Sequence, residues 1–317
     1  MRFFITGANG FIGSYLSRYL LKNGHKVIAH SRSFLPDIRE ELNGAIFIES
    51  DILHEDFSKI KAEADIIIHL AASNDIISKN LSKGIELSTT GTVNALKFAL
   101  NNNIPKFIFY STLQVYGTEL NGNYSEVTNV KPENDYAMNH LFGEMYTEMY
   151  SRKFGLKTLV VRPSNIFGRF LSSNVNRWTL VPGCFCKEAI EKGTITLMSS
   201  GNQNRNFISL EQLSYYTETV SMNMDKPFDT INFVSTVYNR IVDSAILTKK
   251  LFEETFSRHI ELIIQSEQPI ATNEFMFDIS KLKTYGIDVE RTNHINLETE
   301  INHIISMLTQ QFRDQKN

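Results

Sequence analysis

Cysteine is almost missing from this sequence: its 317 residues contain two, Cys184 and Cys186. Placed two apart, they cannot close an unstrained disulfide, and no further cysteines complete a zinc site, so both read as small packing residues. Tryptophan occurs once, and 7 prolines with 16 glycines are too few for a collagen-like or low-complexity chain. No run of ~18 apolar residues occurs, which excludes a membrane-spanning helix. Met1-Arg2-Phe3-Phe4-Ile5-Thr6 leads straight into glycines, with neither the apolar stretch nor the cleavage site of a signal peptide, so the expected location is the cytoplasm. Excess positive charge is missing too. The 32 Lys+Arg stand against 35 Asp+Glu, a net charge of −3, and no basic stripe is visible beyond Lys249-Lys250. Nucleic acid is therefore not an expected partner.

What remains is 42% hydrophobic and 21% charged, the composition of a globular protein that buries roughly 75% of its unfolded surface. Through the first half, short apolar runs alternate with longer amphipathic stretches. Phe3–Thr6, Lys26–His30, Ala45–Glu49, Asp65–Leu70, Lys106–Tyr110 and Thr158–Arg162 read as strands. Helical patterns are clearest at Phe11–Asn23, Leu87–Asn101 and Tyr136–Phe154. Strands alternating with helices imply a doubly wound α/β domain on a parallel sheet. After Arg162-Pro163 the pattern loosens into a Ser/Asn-rich stretch, then a helical segment over Gly183–Lys192, a short run at Thr194–Met198 and a closing helix over Glu298–Phe312. Residues 1–168 are expected to form this α/β domain, whose dinucleotide-binding motif is given below, joined by a returning strand at Thr230–Val234. Residues 169–317 are expected to form mainly the substrate domain.

The sharpest chemical signal is Gly7-Ala8-Asn9-Gly10-Phe11-Ile12-Gly13, at the end of the first strand and opening the first helix. Glycines there allow a tight turn, close approach of backbone to a pyrophosphate, and close helix packing, while the helix N-terminus offers free N–H groups. The spacing is G-x-x-G-x-x-G rather than G-x-G-x-x-G.

Further along come Asp51-Ile52, His69-Leu70-Ala71-Ala72, Ser111-Thr112-Leu113-Gln114-Val115-Tyr116-Gly117 and Tyr136-Ala137-Met138-Asn139-His140. After these stand Arg162-Pro163-Ser164-Asn165-Ile166-Phe167-Gly168, Arg205-Asn206-Phe207-Ile208 and Asp278-Ile279-Ser280-Lys281. In order and spacing the set resembles the extended short-chain dehydrogenases/reductases, the family of nucleotide-sugar epimerases, dehydratases and ketosugar reductases, over nearly the whole length. The resemblance implies a Rossmann-type doubly wound parallel sheet with a smaller C-terminal α/β substrate domain. It also implies a nicotinamide dinucleotide, a nucleotide-sugar substrate and no metal. A homodimer would form through the helices at Leu87–Asn101 and Tyr136–Phe154, where Phe142, Met145, Tyr146 and Met149 supply an apolar face that a core stripe explains equally well.

Carried over residue by residue, the resemblance assigns Gly7, Asn9, Gly10, Phe11, Ile12 and Gly13 to the dinucleotide turn, and Asp51 and Ile52 to the adenine. Leu70, Ala71 and Ala72 lie where the cofactor passes close to backbone. Thr112 takes the place of the catalytic hydroxyl, with Ser111 the runner-up, and Tyr136 that of the catalytic tyrosine, which exchanges a proton with the substrate oxygen. Ser73, Asn74, Asn165 and Arg205 fall to the substrate, Arg205 beside its pyrophosphate. Asn176-Arg177-Trp178-Thr179 is read either as meeting the sugar nucleotide or, for the lone tryptophan, as packing. His69, on a buried strand, reads as a core histidine. The family's usual arginine before Asp278 is absent, since Phe275-Met276-Phe277 stands there.

Two departures bear on mechanism. Where the family pattern is Tyr-x-x-x-Lys, this chain has His140, which reaches a ribose hydroxyl but, mostly neutral at pH 7, depresses the phenol's pKa less than an ammonium does. Oxidation needs tyrosinate and reduction needs the phenol, so the change favours a reductase. At the end of the second strand the chain reads Ser31-Arg32-Ser33 instead of carrying a carboxylate, which suits an adenosine 2′-phosphate. The expected activity is therefore an NADPH-dependent reduction of a nucleotide-activated 4-keto-6-deoxy sugar for surface polysaccharide, NADP(H) being preferred and NAD(H) possible. The alternatives are a 4-epimerase holding NAD tightly, and a degenerate relative that binds such ligands without turnover.

Overall fold

Phe3 and Ile5 are fully buried on one face of the first strand and Phe4 on the other. Ile66 and Ile68 oppose Ile67 in the same way, Ile108 opposes Phe107 and Phe109, and Leu159 and Val161 oppose Val160. Such strands are stable only with apolar layers on both sides, the condition of a covered parallel sheet.

The computed structural model describes residues 1–265, 274–291 and 296–314. The main sheet contains β1 (Arg2–Thr6), β2 (Lys26–Ser31), β3 (Ile46–Glu49), β4 (Ile66–His69), β5 (Lys106–Tyr110), β6 (Lys157–Pro163) and β7 (Phe228–Phe233). Their order is β3-β2-β1-β4-β5-β6-β7 and every pairing is parallel; Phe3 sits opposite Val27 on one side and Ile66 on the other. Chain order reverses between β1 and β4, which makes the crevice beyond their carboxyl ends the natural ligand site. The fold is thus Rossmann-like.

The principal helices are α1 (Phe11–Lys22), α2 (Thr92–Asn101), α3 (Asp135–Phe154), α4 (Gly183–Lys192), α5 (Leu210–Met222), α6 (Ile241–Phe256) and α7 (Leu297–Asp314). Helices α1 and α5 share one apolar cluster with Phe3 and Ile5, and α2 and α3 share the opposite cluster with Phe4. Helix α3 starts at Asn134, whose side chain accepts a hydrogen bond from the Ala137 amide at 2.9 Å. A reciprocal Ser209–Gln212 capping box starts α5. A third cluster joins α4, α6 and α7 to a parallel strand pair, Thr194–Leu197 with Glu261–Ile264. Among the described residues no helix is long and apolar enough to cross a membrane.

The structure differs from the pattern reading in detail. The helix expected over Leu87–Asn101 begins at Thr92, after a π-helical segment Leu87–Gly91. Ser88-Thr89-Thr90-Gly91 are weak helix formers, and Gly91 is pressed against Leu87 and Ile52. Tyr146 and Met149 pack into the second cluster, whereas Met145 is 60% exposed. The short helix Leu81–Glu86, capped by Asn80, falls in a stretch without a clear apolar period.

Candidate active site

A cleft of about 1230 Å³ opens at the carboxyl ends of the strands and runs from the Gly7–Gly13 turn to Asn165 and Arg205. Gly7 has φ +72°, and a Cβ there would stand 3.0 Å from both the Ala71 nitrogen and the Leu70 carbonyl carbon. At Gly13 a Cβ would lie 2.2 Å from the Gly7 oxygen. Only glycine lets the turn, the end of β4 and α1 meet this closely. Helix α1 begins at Gly10 with no side-chain cap, leaving its first amides available to an anion. Phe11 and Ile12, within that first turn, also line the cleft.

Thr6 ties the two loops together. Its oxygen accepts hydrogen bonds from the Leu70 and Ala71 amides at 3.1 and 3.2 Å, which leaves its proton for His69 Nδ1 at 2.8 Å. His69 Nε2 lies 3.3 Å from the Thr92 hydroxyl, and burial pushes the imidazole down to about 3. It is a neutral, fully partnered core histidine.

Asn9 Oδ1 accepts from the Leu35 amide at 3.0 Å, holding the loop after β2 against the glycine turn. Ser31 and the exposed Arg32 line the cleft, and Ser33 lies off its wall. Among the described residues Arg32 makes no hydrogen bond or ion pair. Glu49, opposite Ser31 on β3, is committed to Arg39 at 2.6 Å and the Phe34 amide at 3.2 Å. Asp51 and Ile52 continue the wall; Ile52 is buried and its carbonyl accepts from Asn94 at 2.9 Å. Leu70, Ala71 and Ala72 line the same cleft.

Helix α3 supplies Tyr136, His140 and Glu144, four residues apart and hence on one face. The Tyr136 and His140 rings meet edge to face, 4.6 Å between centroids at 72°. Thr112 Oγ1 accepts from the Gln114 amide at 3.2 Å, and the same side chain acts on the Tyr136 phenol. Burial pushes that phenol above its ordinary pKa of 10.0, against the pull of Arg177 and Thr112. His140 Nε2 lies 3.1 Å from the Ser73 carbonyl, so it carries the proton. Its Nδ1 is buried and makes no hydrogen bond among the described residues, although the Tyr110 carbonyl favours the charged ring. Burial dominates and pushes His140 down to about 4, so the ring is neutral at pH 7.

Glu144 is a buried carboxylate that the sequence reading did not single out. It receives Arg162 Nε at 2.9 Å and Nη2 at 2.6 Å, together with the Ser111 hydroxyl at 2.5 Å. Arg162 Nη1 also donates to the Tyr116 hydroxyl at 2.8 Å, which in turn donates to Asn232 at 2.9 Å. The Ser111 hydroxyl is thereby committed to Glu144. Ser73 Oγ pairs with Ser78 Oγ at 2.7 Å, and Asn74 Oδ1 accepts from the amides of Ile76 and Ile77 at 3.0 and 2.8 Å. Both residues line the cleft, yet these side-chain atoms serve local structure. Asn165 donates to the Asn206 carbonyl at 2.9 Å. Arg205 bonds only the neighbouring Asn204 carbonyl, at 2.9 Å, and burial lowers its pKa; no carboxylate pairs with it among the described residues.

Arg177 makes an ion pair with Asp75, which also accepts from the Thr179 hydroxyl at 3.1 Å. This latch joins the segment after β6 to the segment after β4, across the cleft. Trp178 stacks on Phe170 at 4.2 Å and donates to the Ser173 carbonyl, the packing alternative. Phe275 and Phe277 occupy cleft wall where an arginine was missing.

A family model described as the NAD dependent epimerase/dehydratase family matches residues 3–214. The chain belongs to that family. Of the relatives that the chain resembles, the low-salt glycan biosynthesis protein Agl12 of Haloferax volcanii is 27% identical over 307 residues, 93% of each chain. A dTDP-4-dehydro-6-deoxy-D-allose reductase from a Streptomyces species is 25% identical over 226 residues, 66% of this chain and 69% of its own. The UDP-glucuronic acid 4-epimerase of Bacillus cereus, solved in complex with NAD, matches the fold with a TM-score of 0.80 at 24% identity over 96% of both chains.

Proposed function

We propose that this family member reduces a nucleotide-activated ketosugar, a 4-keto-6-deoxy sugar destined for surface polysaccharide, with NADPH as reductant. The observation that carries the reading is the neutral, buried His140 set against a phenol that burial keeps protonated. Oxidation of a sugar alcohol needs a tyrosinate base, whereas reduction of a ketone needs the acid that this environment favours.

The cradle that a Cβ would fill at Gly7 and Gly13, and the uncapped amides of α1, fit a dinucleotide pyrophosphate. Bound there, the dinucleotide supplies the hydride received by the keto carbon. Thr112 polarises the carbonyl, and Tyr136 gives its phenolic proton to the carbonyl oxygen, so that C=O becomes CH–OH. His140, one helical turn after Tyr136 and lining the same cleft, orients the nicotinamide ribose. Arg205 holds the pyrophosphate of the sugar nucleotide, and Arg32 takes the 2′-phosphate through charge-assisted bonds. Purified protein given candidate nucleotide ketosugars oxidises NADPH, and Tyr136→Phe does not; activity retained by Tyr136→Phe refutes the assignment.

A second reading is favoured by the likeness to an epimerase solved with NAD. In it the protein retains NAD and epimerises C4 of a nucleotide sugar by oxidising and re-reducing it from the other face. The dinucleotide released on denaturation separates the two: tightly held NAD supports the epimerase, freely exchangeable NADP the reductase.

A further inference from the structure

The Tyr-x-x-x-Lys pattern places a cation one helical turn from the tyrosine, and this chain has replaced it with a buried imidazole whose Nε2 is fixed to the Ser73 carbonyl. A permanent positive charge nevertheless stands in the same cleft. Arg177 comes from the segment after β6 and lines the cleft wall together with Tyr136 and His140. It is held by Asp75, two residues beyond the Ser73 carbonyl that fixes His140, and Asp75 is steadied by Thr179. The anchoring runs from loop to loop, 102 residues apart in sequence.

We propose that Arg177, anchored by Asp75, is a positioning residue for proton transfer at Tyr136. The proposal rests on the reading of Tyr136 as the proton-exchanging group.

The charges around the phenol fit this assignment. Arg177 stabilises the phenolate more than Asp75 destabilises it, so the guanidinium is the end of the ion pair that the phenol feels most. The same guanidinium opposes protonation of His140. One charge thereby lowers the phenol's pKa, which burial still holds above its ordinary value, and suppresses the imidazolium. Lys83, Glu86 and Arg205 line the same cleft, and none of them acts on the phenol as Arg177 does.

The test needs no substrate. The protein is labelled with meta-fluorotyrosine, whose phenol ionises at lower pH than tyrosine, and titrated by fluorine NMR; of its 12 tyrosines, Tyr136 is identified by the signal lost in Tyr136→Phe. Arg177→Gln is expected to raise the Tyr136 midpoint by about one pH unit, the effect of removing one nearby opposite charge. Arg177→Lys is expected to return it to within a few tenths of the wild type. The remaining fluorotyrosine signals report whether the fold is kept, and Arg177→Met replaces Gln if it is not. An unchanged midpoint in Arg177→Gln, or a shift as large in Arg177→Lys, overturns the proposal. Turnover by Tyr136→Phe, measured separately, tests the underlying reading and leaves the midpoint comparison standing.

Discussion

Arg162 grips Glu144 through two hydrogen bonds, of 2.9 and 2.6 Å, and so fixes the helix that carries Tyr136 to the strand behind it. Both side chains are buried, and the carboxylate also fixes the Ser111 hydroxyl beside Thr112. Removing one partner strands the other charge away from water, which costs more than the pair itself contributes.

Glu144→Ala is therefore expected to lower unfolding free energy by about 3–5 kcal/mol. Urea denaturation with wild type as reference measures it. A loss below about 1 kcal/mol, the range of an exposed pair, contradicts the account.

Gly13→Ala places a Cβ 2.2 Å from the Gly7 oxygen, and backbone has to move. The mutant is expected to lose most of its affinity for dinucleotide in calorimetric titration, whichever nicotinamide form is used. Wild-type affinity would show that the turn yields more easily than its geometry implies.

Arg32 discriminates the two cofactors if it meets the 2′-phosphate. Losing charge-assisted bonds worth about 1.5–3 kcal/mol weakens NADPH binding by roughly 10- to 100-fold in Arg32→Ala, with NADH nearly unchanged. Equal effects on both dinucleotides would remove Arg32 from the phosphate site.

Burial pushes His30 and His140 down to about 4 and His69 to about 3, from 6.5. Between these values the unfolded chain binds protons that the folded one does not, so stability falls as pH drops from about 6.5 towards 4 and is regained as pH rises. His140→Gln removes one such proton and should flatten the dependence of unfolding free energy on pH. A slope identical to wild type across that window rejects a neutral buried His140.

The central strands were legible because residues such as Phe3-Phe4-Ile5 and Ile66-Ile67-Ile68 are apolar on both faces, a run that only a covered sheet tolerates. The turn at Gly7–Gly13 was legible for a similar reason, since glycine spacing records a close approach directly. Glu144 was not, because a charged residue on a helix ordinarily marks solvent, and the partner that justifies burying it lies on β6. The Asp75–Arg177 contact is set by tertiary structure alone. Nor does sequence reveal where a hydroxyl points: Ser73 and Ser111 carry suitable chemistry at suitable positions, yet Ser78 and Glu144 claim their side chains.

Helix α5 and strand β7 come late in the chain but complete the early sheet: β7 lies along β6, α5 packs on α1, and the Tyr110 phenol is bonded to Thr217. During synthesis, then, β6 emerges long before the strand that shields its outer edge, and one flank of the main sheet stays open until residue 233 has left the ribosome. A fragment ending near residue 168 would keep that raw edge permanently, and strand-to-strand aggregation is the physical outcome to expect of it.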